Sequence, residues 1–411
     1  MNLAKQEQLQ RALNDAARDV VRPPLTLAAI SMPLSAAQIA DSNLNIVRNK
    51  DTGCIQFIFP DHRAPRLNSA AASAMDWLVH AAVRVREEIT QNMIESMERH
   101  SKPERLLKLG AGWQQRASAQ DLAASRGRKV LLLVHGICSS CEGAYCELER
   151  AGTLATLLQR YQGQVYGYDH WTIAKTPQQN ALDLLQLLPP DSQWQLDLLC
   201  HSRGGLLVRS LLADSGAHSM ADPTLAAIST ARQGRIAGAG TAIFVAAANQ
   251  GTPLAQPADM QSFLNIAALL ATISGALGLD LVIALARLVL NQGLQRPSVA
   301  ALASHSELQT QLAQAGSLLA QASIYYARAD FAYGGSALEQ TGALINHLLI
   351  NADNDVIVPY DSVLLPEAAP APANLLEFGT PQARQSEVWH TEFFRQPAMR
   401  EFILKALPSP G

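Results

Sequence analysis

Several short apolar runs, each stopped by a polar or glycine-rich turn, recur from about residue 129 of this 411-residue chain onward. They read "RKVLLLVHG", "QVYGYDH", "WQLDLLCHS", "GTAIFVAAANQGTP" and "NHLLINADNDVIVP". Runs of this length without alternation predict strands buried on both faces. Between several of them lie stretches with helical spacing, "YCELERAGTLATLLQRY", "PQQNALDLLQLLP" and "GGLLVRSLLAD". Strands alternating with helices predict an α/β fold, a mostly parallel central sheet covered by helices on both faces. In such sheets ligands bind at the carboxyl ends of the strands. The polar tips of the runs are therefore the places to look for chemistry.

The first part of the chain has a different texture. A helix is expected over Leu3–Val20, ahead of Pro23 and Pro24. "NIVRNKDTGCIQFIF" predicts a hairpin with its turn near Asp51-Thr52-Gly53, and a long helix should carry Met75, Leu78, Ala81, Ala82 and Val85 on one face. No catalytic pattern occurs there, so residues 1–125 read as an N-terminal accessory region and 126–411 as the main domain. The rhythm also breaks over residues 254–342. This segment holds the apolar run Phe263–Leu290, interrupted by Asn265, Asp280 and Arg287 and by Gly275 and Gly278. A membrane span has about this length, and a buried helical hairpin is a second reading. The interruptions favour a third, two short helices forming an apolar cap inserted over a site.

Composition narrows the class. The chain is 48% hydrophobic and 16% charged, with a formal net charge of -3. Disorder is excluded, and no basic run suits a nucleic-acid backbone. The N-terminus has neither an apolar core nor a small-residue cleavage site of a secretory signal, and five cysteines make no disulfide framework. The expectation is a cytoplasmic protein.

Within "DLLCHSRGGLLVRSLL" lies Cys200-His201-Ser202-Arg203-Gly204, a variant of the G-x-S-x-G elbow with cysteine in place of the first glycine. An apolar strand precedes Ser202 and an apolar helix comes after it. That context points to a nucleophile held on a tight turn, with the N-terminal N–H groups of the helix facing developing negative charge. A serine hydroxyl needs a histidine base, an orienting carboxylate and N–H donors for the oxyanion. The strand ending at His135-Gly136 offers the N–H of Ile137, to pair with that of Arg203. Asp353, Asp355 and Asp361 cluster after the last apolar run, with Asp355 opening its turn and Asp353 as competitor. If the chain order is serine, acid, histidine, the base must be His390, the one histidine after Asp355.

Taken together, "LLLVHG", "HSRGG", "NQGTPLA", "DVIVP" and "VWHTEFF" resemble the lipase-like serine hydrolases of the α/β-hydrolase superfamily, among them bacterial members of uncharacterised activity. The resemblance covers roughly Lys129 to the C-terminus. It implies Ser202 as nucleophile, Asp355 as acid, His390 as base, and backbone oxyanion donors at Ile137 and Arg203. It also implies that "NQGTPLA" opens a cap insertion. The expected activity is cleavage of a carboxylic ester of a hydrophobic acyl substrate, without cofactor or metal and without a nucleic-acid partner. Contact of the cap with a membrane surface is a further expectation. An amidase would use the same residues, and an interaction module with little turnover is the reading from another class. Cys138 and Cys141 in C-x-x-C spacing, near Cys146 and His135, suggest zinc or a redox pair less readily than plain buried thiols, because no second pair accompanies them.

Overall fold

The computed structural model describes residues 103–110, 112–137, 139–214, 222–255, 297–332, 352–355, 357–366, 370–385 and 387–407, together with the backbone of 45–48 and 55–58. The chain divides into two compact units, one of residues 1–94, 253–296 and 333–349, the other of 95–252, 297–332 and 350–411. In the first, β1 (Asn45–Arg48) pairs antiparallel with β2 (Ile55–Ile58), from Asn45 opposite Ile58 to Arg48 opposite Ile55. This is the expected hairpin. The helices expected over Leu3–Val20 and around Met75–Val85, and the apolar run Phe263–Leu290, lie outside the described residues.

Among the described residues, the second unit is built on a seven-stranded sheet. Its strands in chain order are β3 (Arg105–Lys108), β4 (Lys129–Val134), β5 (Val165–Asp169), β6 (Trp194–His201), β8 (Ile236–Val245), β10 (Ser323–Ala329) and β11 (Leu375–Phe378). Across the sheet the order is β11-β10-β8-β6-β4-β5-β3. Every pairing is parallel except that of the edge strand β3 with β5. A separate small ribbon joins β7 (Ala213–Asp214) to β9 (Gly316–Ser317). The five residues Val130–Val134 are all buried, and so are all residues of β6 except Gln195. This is what strands covered on both faces require, and it explains their unalternating apolar runs.

Two sets of helices cover the sheet. Tyr145 and Leu148 of α2 (Cys141–Arg150), Leu154 and Leu157 of α3 (Thr153–Arg160), and Met399, Phe402 and Ile403 of the last described helix join Leu131, Leu133, Leu199 and Ile243 in one core. The stretch expected as one helix over Tyr145–Tyr161 is thus two, broken at Gly152, which takes a left-handed φ of 74°. On the other side α4 (Pro177–Leu187), α5 (Gly204–Leu212) and α6 (Pro223–Arg232) pack on one another and on β4 and β6. Thr176 and Gln179 form a capping box at the start of α4, with Pro177 in its first turn, and Asp222 caps α6. Short helices α7 (Pro297–Ala300) and α8 (Glu307–Gln314) precede β10, and α9 (Pro397–Ala406) closes the chain.

Two elements lie across the boundaries read from the sequence. Strand β3 and the short helix α1 (Ala119–Ala124) fall inside 1–125, yet β3 is an edge of the main sheet. Strand β10 falls inside 254–342 and pairs with both β8 and β11. The pattern hides both. "RLLK" has two apolar residues between charges, as an edge strand does, and "SIYYARA" comes after so long an irregular stretch that no rhythm reaches it. Among the described residues no helix is long and apolar enough to cross a membrane.

Candidate active site

The carboxyl ends of β4, β6 and β8 hold the first half of the site. Strand β6 ends at His201, and Ser202 comes next with a left-handed φ of 55°, rare for a residue with a side chain. The strain is held by the surrounding backbone. Ser202 N–H donates to Val245 O at 3.1 Å, and Ser202 O accepts from Gly205 N–H at 3.0 Å and Ala248 N–H at 3.3 Å. Helix α5 starts at once and is buried along its whole length. Its close approach depends on Gly204, where a Cβ would lie 2.5 Å from Val134 O and 2.9 Å from His135 O. Cys200 stands where the motif has glycine. It is buried, and its Sγ turns to Ile243 O at 3.4 Å, so the thiol fits between β6 and β8.

The turn after β4 runs against the serine. A Cβ built on Gly136 would come within 2.6 Å of Ser202 Cβ and 3.1 Å of Ser202 Oγ. Ile137 is the next residue. The turn is anchored by α2, whose Tyr145 hydroxyl lies 2.7 Å from Val134 O and 3.1 Å from Leu199 O. Asp169, at the end of β5, accepts from Cys141 N–H at the start of α2 at 2.8 Å and pairs with Arg105 of β3 at 3.2 Å. His135 accepts from His170 N–H at Nε2 at 3.2 Å, so its Nδ1–H points to Gly136 O, 2.9 Å away.

Asp355 and His390 arrive from the other half of the sheet. His390 Nε2 lies 2.9 Å from Ser202 Oγ, and His390 Nδ1 lies 2.8 Å from Asp355 Oδ2. All three side chains are buried. The second oxygen of Asp355 accepts from Ile357 N–H at 3.0 Å and Val358 N–H at 2.7 Å, and His390 N–H donates to Asp355 O at 3.1 Å. The carboxylate is therefore fixed at both oxygens, and of the three candidate carboxylates Asp355 is the one that meets His390. Asp353 is turned away and bonds Arg384. Asp361 bonds Arg328 at 2.9 Å and leaves its side chain 89% exposed, against 2% for Asp355.

The residues of "NQGTP" buttress the acid turn. Asn249 donates to Val363 O at 2.7 Å, Gln250 N–H to Ser362 O at 3.0 Å and Thr252 Oγ1 to Ile357 O at 2.7 Å. The sequence marks this motif only as the opening of an insertion and gives no sign of the turn it holds. His201 is likewise not singled out by the sequence. The His201 ring sits 4.9 Å from that of His390, and its Nε2 is 2.8 Å from His390 O, so Nε2 carries the proton. Burial first, and then His390, hold the His201 imidazolium down to about 3. His201 therefore stays neutral beside His390. Its position before Ser202 was a usable signal, because the last residue of the strand must face either the core or the site.

Arg203 is buried and reaches back to α4. Its guanidinium donates to Lys175 O at 2.5 Å and to Asn180 Oδ1 at 3.0 Å. The side chain thus braces the loop before α4, while its backbone lies at the elbow. Burial pushes the Cys141 and Cys200 thiols well above their usual range. Among the described residues no three His, Cys, Asp or Glu side chains gather as metal ligands, and Cys138 lies outside them.

The strand order, the single antiparallel edge at β3, the serine after β6, the carboxylate after β10 and the histidine after β11 define an α/β-hydrolase fold. The chain belongs to the family described as a domain of unknown function, DUF7379, which matches residues 101–408. Among solved structures it is similar to the mature lipase BlEst2 of Bacillus licheniformis, at 15% identity over 68% of this chain and 92% of that one, with a TM-score of 0.42. EstA from Clostridium botulinum is 14% identical over 82% of this chain and 98% of its own, with a TM-score of 0.43. Lipase 1 from Pelosinus fermentans is 14% identical over 68% and 97%, with a TM-score of 0.41. No curated protein matches the sequence.

Proposed function

We propose that this chain is a serine hydrolase that cleaves a carboxylic ester of a hydrophobic acyl substrate. The observation that carries the reading is the continuous hydrogen-bonded line Ser202 Oγ–His390–Asp355, at 2.9 and 2.8 Å. With Asp355 accepting the Nδ1 proton, the lone pair of His390 Nε2 faces the serine. His390 takes the Ser202 proton as Oγ attacks the ester carbonyl, and the carbonyl π electrons move onto oxygen. The N–H groups of Ile137 and Arg203 hold that oxyanion. Collapse of the intermediate expels the alcohol, which takes the proton back from His390. Water, deprotonated by His390, then releases the acid from Ser202. Asp355 holds the imidazole tautomer throughout and stabilises its charged form. None of these steps calls for a metal or an organic cofactor.

The apolar character of the acyl group rests on the sequence of Phe263–Leu290, read as a cap within 254–342, which would exclude water and receive the chain. The same surface would be the part to meet a lipid interface. The test is fluorophosphonate labelling of the purified protein with Ser202→Ala and His390→Ala beside it, and hydrolysis of p-nitrophenyl esters from acetate to palmitate. Labelling at Ser202, lost in Ser202→Ala, with turnover lost in both variants and a preference for longer chains, is the expected result. A folded wild type that neither labels nor turns over ester rejects the proposal.

A further inference from the structure

We infer that Asp330, Arg384 and Asp353 form a clamp that positions Asp355 and His390, an inference that rests on their acting as proposed above. Asp330 stands at the carboxyl end of β10 and is 1% exposed. Its Oδ2 accepts from Arg384 Nε at 3.1 Å, and its Oδ1 accepts at 3.3 Å from the N–H of Asn354, the residue before the acid. The same guanidinium bonds Asp353 on the other side of Asn354. Arg384 thus spans two carboxylates, one rooted in the sheet and one in the acid turn. A planar fork suits this, whereas a single ammonium would serve the two carboxylates less well.

Three further bonds tie the same place together. Phe331 N–H donates to Asn354 O at 2.9 Å, Ala332 N–H to Gln385 O at 2.7 Å, and Gln385 N–H to Asp330 O at 3.3 Å. Gln385, next to Arg384, then shapes the approach to the base. Its Oε1 accepts from Glu387 and Val388 N–H, each at 2.7 Å, and its Nε2 donates to Val388 O at 2.8 Å. The end of β10, the acid turn and the start of the base loop therefore meet at one ion-paired point. Burying the Asp330 carboxylate is unfavourable by itself, and its desolvation opposes the help it receives from Arg384. A strand end needs no such group to close the sheet. The two groups it does fix are those whose relative placement sets the Asp355–His390 bond, and a displacement of about 1 Å in such a pair costs about 10²-fold in rate.

The experiment compares wild type with Arg384→Met, Arg384→Lys and the double variant Asp330→Asn/Arg384→Met. The double variant removes both charges, so it leaves no unpaired buried carboxylate to unfold the protein. The readouts are kcat and KM on p-nitrophenyl butyrate, the fluorophosphonate labelling rate, and the downfield proton signal of His390 Nδ1–H. Arg384→Met and the double variant are expected to lower kcat about 10-fold or more with KM within about 2-fold, and to weaken the downfield signal. Arg384→Lys should recover part of the kcat. A folded double variant with wild-type kcat and an unchanged signal overturns the clamp. So does a loss of kcat that Arg384→Lys does not relieve while the signal stays intact, since that marks a merely structural role. Wild type that fails to label at Ser202 overturns the hydrolase reading instead, which separates the two failures.

Discussion

Gly136→Ala tests whether the turn after β4 and the nucleophile share one tightly fitted space. The new Cβ would lie 2.6 Å from Ser202 Cβ, 3.1 Å from Ser202 Oγ and 3.3 Å from His201 Nδ1. Carbon pairs settle at about 3.5–4.0 Å, so the methyl intrudes by about 1 Å. Gly136 has no left-handed φ, so alanine is allowed there by its backbone and the conflict is purely steric. Ser202 yields poorly, because its left-handed backbone is tied to Val245 O at 3.1 Å and to Gly205 N–H at 3.0 Å. The turn bearing Ile137 must move instead, or the Ser202 side chain must rotate off His390. Either way the Ile137 N–H and Ser202 Oγ, proposed above as oxyanion donor and nucleophile, part by about 1 Å, which costs about 10²-fold in kcat/KM, or about 2.7 kcal/mol of transition-state binding. The cost to stability is that of an overpacked core, about 1–3 kcal/mol. Steady-state hydrolysis of p-nitrophenyl butyrate, read beside the thermal midpoint, checks both. A folded Gly136→Ala protein with kcat/KM within about 3-fold of wild type would refute the fitted-space argument.

Asp355→Asn keeps the shape of the acid but can leave His390 with the wrong tautomer. Its kcat should fall about 10⁴-fold while the thermal midpoint stays near wild type, and a loss of under about 10-fold would show that Asp355 does not orient the base. His201 binds fewer protons folded than unfolded between its folded value of about 3 and the ordinary 6.5. Its contribution to stability is thus complete above pH 6.5 and lost as the pH falls towards 3. His201→Gln should flatten the dependence of the urea midpoint on pH across that window by up to about one proton, and an unchanged slope would contradict the buried neutral imidazole. Gly204→Ala and Cys200→Gly probe the elbow from its two sides. Gly204→Ala should destabilise by about 1–3 kcal/mol and cut kcat, whereas Cys200→Gly should cost about 1 kcal/mol of stability and leave kcat near wild type. Equal effects on kcat would show that the two flanking positions carry the same constraint.

The parts of this architecture that announce themselves in sequence are those whose burial is two-sided. Strands β4, β6 and the end of β8 must be apolar at every position, so their runs and their polar tips stand out. Ser202 is legible for the same reason, because it follows such a run directly, whereas His390, about twelve residues past β11, is legible only through chain order, as the one histidine after Asp355. The choice of Asp355 over Asp353 was not available from composition or spacing alone. It depends on which carboxylate turns inward: Asp355 meets His390, whereas Asp353 bonds Arg384, 29 residues beyond Asp355. Asp330 is invisible for a related cause, because its partners Arg384 and Asn354 are distant in sequence and leave no local period. His201 looks like an ordinary strand residue until His390 is placed beside it.

Substitution of the elbow's first glycine by Cys200 shows what the motif requires physically. Two residues before the serine, the side chain points into the sheet between β6 and β8, where Ile243 O receives the thiol at 3.4 Å. Two residues after it, the first turn of α5 lies against Val134 O and His135 O, with room for no Cβ at all. The constraint is therefore unequal. The upstream residue needs only to be small and tolerant of burial, while the downstream one must be glycine for the helix to approach the β4 turn. The constraint on Gly204 is thus a constraint on how closely α5 approaches the turn after β4, and Cys200, whose thiol meets Ile243 O, lies outside it.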